Sequence, residues 1–294
     1  MSWITEFPEL SRETLVTVRK TLDSSYREFS REYGENIEAF FDPLLYFLVW
    51  FEKLLLATPW WLMIAIIALI THLAARSWRL TIGVIISLFL IGLFGMWEDT
   101  MSTLSIITVS TLLSIALGIP IGILMARSDR TQAFVTPILD VMQTMPAFVY
   151  LIPVVMLLGI GKIPGLIAVI IYAIPPVIRL TNLGIRLVNK EVLEAAMSYG
   201  VTPWQKLWNV QLPLAMPNIM AGINQTIMMA LAMVVIASMI GVAGLGQPVL
   251  RSITNQYFAL GLLNGLAIVV LAIIFDRVSQ AYAKRSQQYL GGRE

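Results

Sequence analysis

The sequence predicts an all-α integral membrane protein, and its composition and charge placement are the two observations that lead there. Hydrophobic residues fill 57% of the 294 positions and charged residues only 13%, whereas a soluble domain carries about 25% charged residues. The charges are confined to short islands between long neutral runs. There is no cysteine and a single histidine, which argues against thiolate chemistry and histidine metal sites. The net charge of +2 is too small to indicate nucleic-acid binding.

Seven segments are predicted to span the membrane, since about 20 apolar residues cross roughly 30 Å of hydrocarbon. They lie near residues 57–75, 80–97, 102–126, 134–160, 164–181, 216–241 and 259–275. Lys and Arg mark the cytoplasmic side. Twelve of them fall in one set of alternate loops and span ends, against only Lys162 and Arg251 in the other. This bias predicts a cytoplasmic C-terminus and, with seven spans, an extracytoplasmic N-terminus.

The N-terminal region, residues 1–56, differs from the rest of the chain. Its first 53 residues hold ten acidic and six basic side chains, and its apolar residues recur at helical spacing. Glu52 and Lys53 interrupt an apolar stretch, and a central charged pair is costly inside a span. We therefore expect an extracytoplasmic amphipathic tail that ends in a helix lying in the membrane interface. As an eighth span, the same stretch would place the N-terminus in the cytoplasm.

The largest predicted cytoplasmic loop between spans, residues 182–215, has the pattern of two short helices. Good helix formers precede Gly200, which suits a left-handed turn at the end of the first helix. Thr202 is placed to cap a second helix. Pro213 and Pro217 are expected to close this second helix and open the sixth span. The loop thus predicts two helices that project from the membrane and present a shallow surface to another protein.

This loop also resembles the signature of ABC importer permeases, which is Glu-Ala-Ala, three residues, Gly, nine residues, then an aliphatic residue, any residue, Leu and Pro. The matching residues are Glu194, Ala195, Ala196, Gly200, Val210, Leu212 and Pro213. Four further segments are similar to the permease of glycine-betaine/proline-betaine importers, and the likeness covers about residues 100–280: they are residues 143–154, 175–186, 211–228 and 234–246. The resemblance implies a type I ABC importer helical bundle over residues 57–281, followed by a cytoplasmic tail over 282–294.

The resemblance also implies how such a chain works. The loop over 182–215 would form coupling helices that sit in a cleft of an ATPase subunit. The chain has no G-x-x-x-x-G-K-[ST] motif, so two partner ATPases would bind ATP and Mg, and this chain would hold no cofactor and do no covalent chemistry. A second copy of the chain, an extracytoplasmic substrate-binding protein and membrane lipid complete the expected partners. The expected location is the bacterial cytoplasmic membrane.

Two groups of polar residues are candidates for the translocation pathway or a gate. Asp140 is the one acid within a predicted span, and intramembrane carboxylates suggest function; a helix-packing or gate hydrogen bond is the alternative. The remaining candidates are Gln143, Thr144, Met145, Asn224, Gln225 and Met228. Hydrogen bonds between helices are the simpler interpretation of the amides in the sixth span.

Two other functions stay open on the sequence. A permease for another small solute, such as an amino acid, would share the coupling loop and differ in the segments after Gln143. An ion-coupled secondary transporter would need intramembrane charges or broken helices in two matching halves. Asp140 alone is little evidence for that class, and the loop over 182–215 would have no role in it.

Overall fold

Every regular element is helical in the part of the chain that the computed structural model describes, residues 10–290, with side chains described to residue 285. The all-α prediction is therefore confirmed, while residues 1–9 and 291–294 of the two predicted tails lie outside the described range. The helices are α1 Arg12–Ala57, α2 Trp60–Ala75, α3 Trp78–Leu93, α4 Trp97–Arg127, α5 Asp129–Thr144, α6 Ala147–Leu158, α7 Lys162–Ala173, α8 Pro175–Arg186, α9 Lys190–Ser198, α10 Pro203–Gln205, α11 Leu212–Ala237, α12 Gly246–Asn255 and α13 Phe258–Leu290. A π-helix, Lys206–Gln211, joins α10 to α11.

Four helical stretches among the described residues are long and apolar enough to cross a membrane, or six if each of two bent helix pairs is one span. The four are α4, α7 with α8, the stretch Pro203–Ile240, and α13 as far as Arg285. Helix α3 is apolar but has only 16 residues. The count of seven spans, and the side of the membrane on which each terminus lies, therefore remain predictions.

From Arg12 onward the N-terminal region forms one continuous helix, where the sequence suggested a tail and a separate interfacial helix. Ser11 caps α1 by accepting a hydrogen bond from the Thr14 amide at 3.3 Å, and the helix runs for 46 residues through Pro43. It ends at Thr58, whose extended backbone is typical of a residue before proline. Helices α1 and α2 then meet at 109°. Helix α1 packs against α4. In its second half, Leu48 is buried in the main apolar core.

The fourth predicted span, 134–160, is not one helix. Met145 takes an extended conformation before Pro146, and α5 and α6 meet there at 100°. The steric restriction that a proline places on the preceding residue explains the break. The pair is thus a broken span or a re-entrant segment.

The centre of the bundle is the packing of α4, α8 and α11. Glycines on α4 let α8 come close: a Cβ at Gly118 would lie 2.4 Å from the Val177 side chain, and one at Gly122 would lie 2.7 Å from the carbonyl oxygen of Ile178. Small residues four apart on one helix allow a second helix to approach this closely. Helix α8 is therefore wedged between α4 and α11, and it leads directly into the polar loop.

Candidate functional site

The predicted coupling loop forms two helical segments joined by a tight turn. Asn189 caps α9 by accepting a hydrogen bond from the Glu191 amide at 2.8 Å. The turn after α9 contains Gly200 with a φ of +75°, a value that favours glycine. Thr202 then forms a capping box with Gln205 at the start of α10. Both helices, the glycine turn and the cap thus agree with the sequence pattern.

The end of the loop differs from the expectation. Pro213 and Pro217 both lie within α11, which begins at Leu212 without a break after the π-helix. The second coupling helix and the sixth predicted span are therefore one continuous helical stretch, Pro203–Ile240.

The signature residues divide into an exposed half and a packed half. Glu194, Ala195 and Gly200 are exposed and Ala196 is partly exposed. Val210 and Pro213 are partly buried, and Leu212 is buried in a small core that also contains Leu207 and Ile185. The first half of the signature is thus free to contact a partner, while the second half anchors the loop to the spans.

Large apolar side chains surround the exposed half of the signature. Met197 is 49% exposed, Tyr199 89%, Trp204 60% and Trp208 51%. The two tryptophan rings lie edge to face with centroids 5.7 Å apart. Sequence reasoning missed this pair, although their spacing of four residues beside the signature was the available signal. Exposed aromatic side chains of this kind are enriched at protein–protein contacts.

Arg186, at the end of α8 where the loop begins, contacts both α4 and α5. Its guanidinium donates to the carbonyl oxygen of Met125 at the end of α4, at 2.9 Å, and pairs with Asp129 at the start of α5, at 2.7 Å. A third contact goes to the Asn182 side chain at 3.1 Å. Arg186 thus has a defined contact with α4, with α5 and with its own helix α8.

Asp140 forms an ion pair with Arg179 of α8, with 2.5 Å between carboxylate and guanidinium. Its side chain is 57% exposed. Thr144 lies one turn further and donates a hydrogen bond to the Asp140 backbone carbonyl at 2.9 Å. Gln143 is exposed and Met145 is partly buried at the break before α6. The cationic partner of Asp140 lies 39 residues away and was not foreseen.

The other candidate group lies on α11 and faces a different neighbour. Asn224 donates to the Asp276 carboxylate of α13 at 2.8 Å and accepts from the Ser279 hydroxyl at 2.6 Å. This agrees with the interhelical interpretation of the amide. Gln225 and Met228 are exposed. Asp276 was missed, because it follows directly after the last neutral run.

Comparison with known proteins decides the family. Residues 118–288 match the family model described as "Binding-protein-dependent transport system inner membrane component". The chain belongs to this family. It is 48% identical over 250 residues to the glycine betaine/proline betaine transport system permease protein ProW of Escherichia coli, covering 83% of this chain and 69% of the relative. It is 49% identical over 232 residues to the glycine betaine/carnitine transport permease protein GbuB of Listeria monocytogenes, covering 78% and 82%.

Solved structures support the fold of this permease. An inward-facing structure of the MetNI methionine ABC transporter matches with a TM-score of 0.58 over 63% of this chain and 93% of that chain, at 19% identity. The prediction of a type I ABC importer permease fold is confirmed. The chain is a multi-pass inner-membrane translocation component and not an enzyme. Permeases of this family operate with an ATPase and a substrate-binding protein.

Proposed function

We propose that this permease is the membrane subunit of an ATP-driven importer for glycine betaine, proline betaine or a related methylated amine. The observation that carries the transport mechanism is the division of the coupling loop into an exposed half around Glu194 and a buried half around Leu212. The substrate class is supported by two permeases that are 48% and 49% identical and are named for glycine betaine transport.

The proposed mechanism is alternating access in a homodimer with two ATPase subunits. ATP closes the ATPases, and each moves a coupling loop through the exposed surface of α9 and α10. Because Leu207 and Leu212 pack with Ile185 of α8, a displacement of the loop is passed to the spans. The free energy difference between the two states comes from nucleotide and receptor contacts, since a ligand held equally by both states shifts nothing. ATP and Mg bind to the partner, and this chain holds no cofactor.

We further propose that Asp140 acts at a gate. Its carboxylate is paired with Arg179, so its charge is compensated before any solute arrives. Gln143, Thr144 and Met145 lie at the break between α5 and α6, where a change in bend angle would move them. Asn224 holds α11 to α13, while Gln225 and Met228 are exposed enough to line the pathway.

Reconstitution of the permease with its ATPase and binding protein tests the mechanism. Glu194→Arg is expected to abolish ATP-driven uptake and co-purification of the ATPase. Glu191→Arg, a change of the same charge at another exposed position of α9, is the control and should retain both. If no ATPase co-purifies with the unaltered permease, or if Glu194→Arg transports normally, the proposed mechanism is wrong.

The substrate class is tested separately. Uptake of glycine betaine, proline betaine, choline, trimethylamine N-oxide and methionine is measured with the binding protein that is encoded with this chain. Uptake of a methylated amine, competed by its analogues, is expected. Uptake of an amino acid in place of every methylated amine would overturn the substrate assignment and leave the ATP-driven mechanism standing.

A further inference from the structure

The π-helix before α11 determines which side chains of the coupling loop face outward. Leu207 is 2% exposed and Leu212 is 9% exposed, and both belong to one buried cluster. Trp204 and Trp208 are 60% and 51% exposed. The Leu212 amide donates to the Leu207 carbonyl, five residues back, where an α-helix would bond four residues back. The turn therefore holds one extra residue.

A regular α-helix would reverse this arrangement. Successive residues in an α-helix are about 100° apart, so residues four apart share a face and residues five apart are separated by about 140°. With Leu212 buried, the position four residues before it, about 40° away, is Trp208. Trp208 would then turn toward the bundle, and Leu207 would turn away from it. The single extra residue of the π-helix therefore keeps Leu207 buried and Trp208 exposed.

Pro213 supplies a physical cause for the wide turn. In an α-helix the amide of residue 213 would donate to the carbonyl of Asn209, but proline has no N–H and its ring clashes with the carbonyl four residues back. Widening the preceding turn relieves that contact. Pro217 lies further along α11 in regular helix, so it provides a matched proline without a π-helix before it.

We propose that Pro213 is a positioning residue, which holds the π-helix and thereby turns Trp208 outward to contact the ATPase. The contact with an ATPase rests on the proposed function, whereas the orientation of Trp208 rests on the register alone. The two parts are measured by different experiments.

Cysteine accessibility tests the register, because the chain contains no native cysteine. In the full-length permease in membranes, Leu207→Cys should react slowly with a membrane-impermeant maleimide and Trp208→Cys rapidly. Adding Pro213→Ala should reverse that order, and adding Pro217→Ala should leave it unchanged. An unchanged order with Pro213→Ala overturns the role of Pro213.

Deletion of Asn209 provides a rescue that a general loss of stability does not allow. In the Pro213→Ala background the deletion places Leu207 four residues before Leu212. An α-helix then buries Leu207 again and places Trp208, the next residue, about 100° from it. We expect Pro213→Ala to lose ATP-driven uptake and the added deletion to restore it. Reversed cysteine reactivity with normal uptake would overturn the contact of Trp208 with the ATPase. Failure of the unaltered permease to bind an ATPase would overturn the proposed function, and the reactivity result would stand separately.

Discussion

The ion pair between Glu52 and Lys162 joins the N-terminal helix α1 to the start of α7, across 110 positions of sequence. The Glu52 side chain is 9% exposed and that of Lys162 is 32% exposed. Breaking a buried pair by removing one partner costs about 3–5 kcal/mol. Water reaches one third of Lys162 and reduces this cost, so we expect Lys162→Met, which leaves the Glu52 carboxylate buried without its cation, to cost about 2 kcal/mol.

Thermal unfolding of the purified permease in detergent measures this effect in a double-mutant cycle. Glu52→Gln should cost about 1 kcal/mol, because a neutral amide is left beside Lys162. The double variant should cost less than the sum of the two single variants. Lys53→Met removes the neighbouring exposed lysine and should leave the midpoint unchanged. Additive single effects, or an equal effect of Lys53→Met, would refute the assignment of this pair as the attachment of α1.

Three further predictions test the packing and the loop. Gly122→Ala should lower stability by about 1–3 kcal/mol through overpacking, because its Cβ would lie 2.6 Å from a side-chain carbon of α8. A Cβ at Gly265 has nothing within 4 Å, so Gly265→Ala is the control and should keep the same unfolding midpoint. Gly200→Val forces valine to a φ of +75° at a cost of about 1–2 kcal/mol and should weaken co-purification of the ATPase. Gly95→Val places the same strain at a φ of +74° outside the loop and should leave co-purification of the ATPase unchanged. Asn224→Leu should cost about 1–3 kcal/mol because the carboxylate it contacts on α13 loses a donor; an unfolding midpoint equal to that of the parent would contradict this.

The features that the sequence predicted well have local causes. The two-helix loop follows from caps and a glycine within a few residues, so Thr202 and Gly200 carry enough information by themselves. Membrane character follows from composition alone. Each of these signals is complete within one or two turns of helix.

The features that were missed depend on partners far along the chain. Glu52 interrupts an apolar stretch, and that charge led to the prediction of an interfacial helix. The cation that compensates it, Lys162, belongs to another helix and is not evident from the local sequence. Arg179 likewise neutralises Asp140 from 39 residues away. The break before Pro146 has a local signal in the proline, but the size of the 100° bend depends on how α5 and α6 pack against other helices. Hydropathy identifies segments that can lie in a membrane, and it does not specify which of them are straight.

The distribution of contacts around α8 indicates which part of the bundle moves most easily. Its contacts with α4 and α11 are buried and include backbone approaches at Gly122, so separating them would open cavities at a cost of several kcal/mol. Its ion pairs to α5, Asp129 with Arg186 and Asp140 with Arg179, involve exposed carboxylates, and such pairs contribute about 0–1 kcal/mol each. Only Leu139 of α5 is fully buried. We therefore expect a displacement of the loop over 182–215 to move α4, α8 and α11 together, and α5 is the neighbour of α8 that separates from it at the least cost.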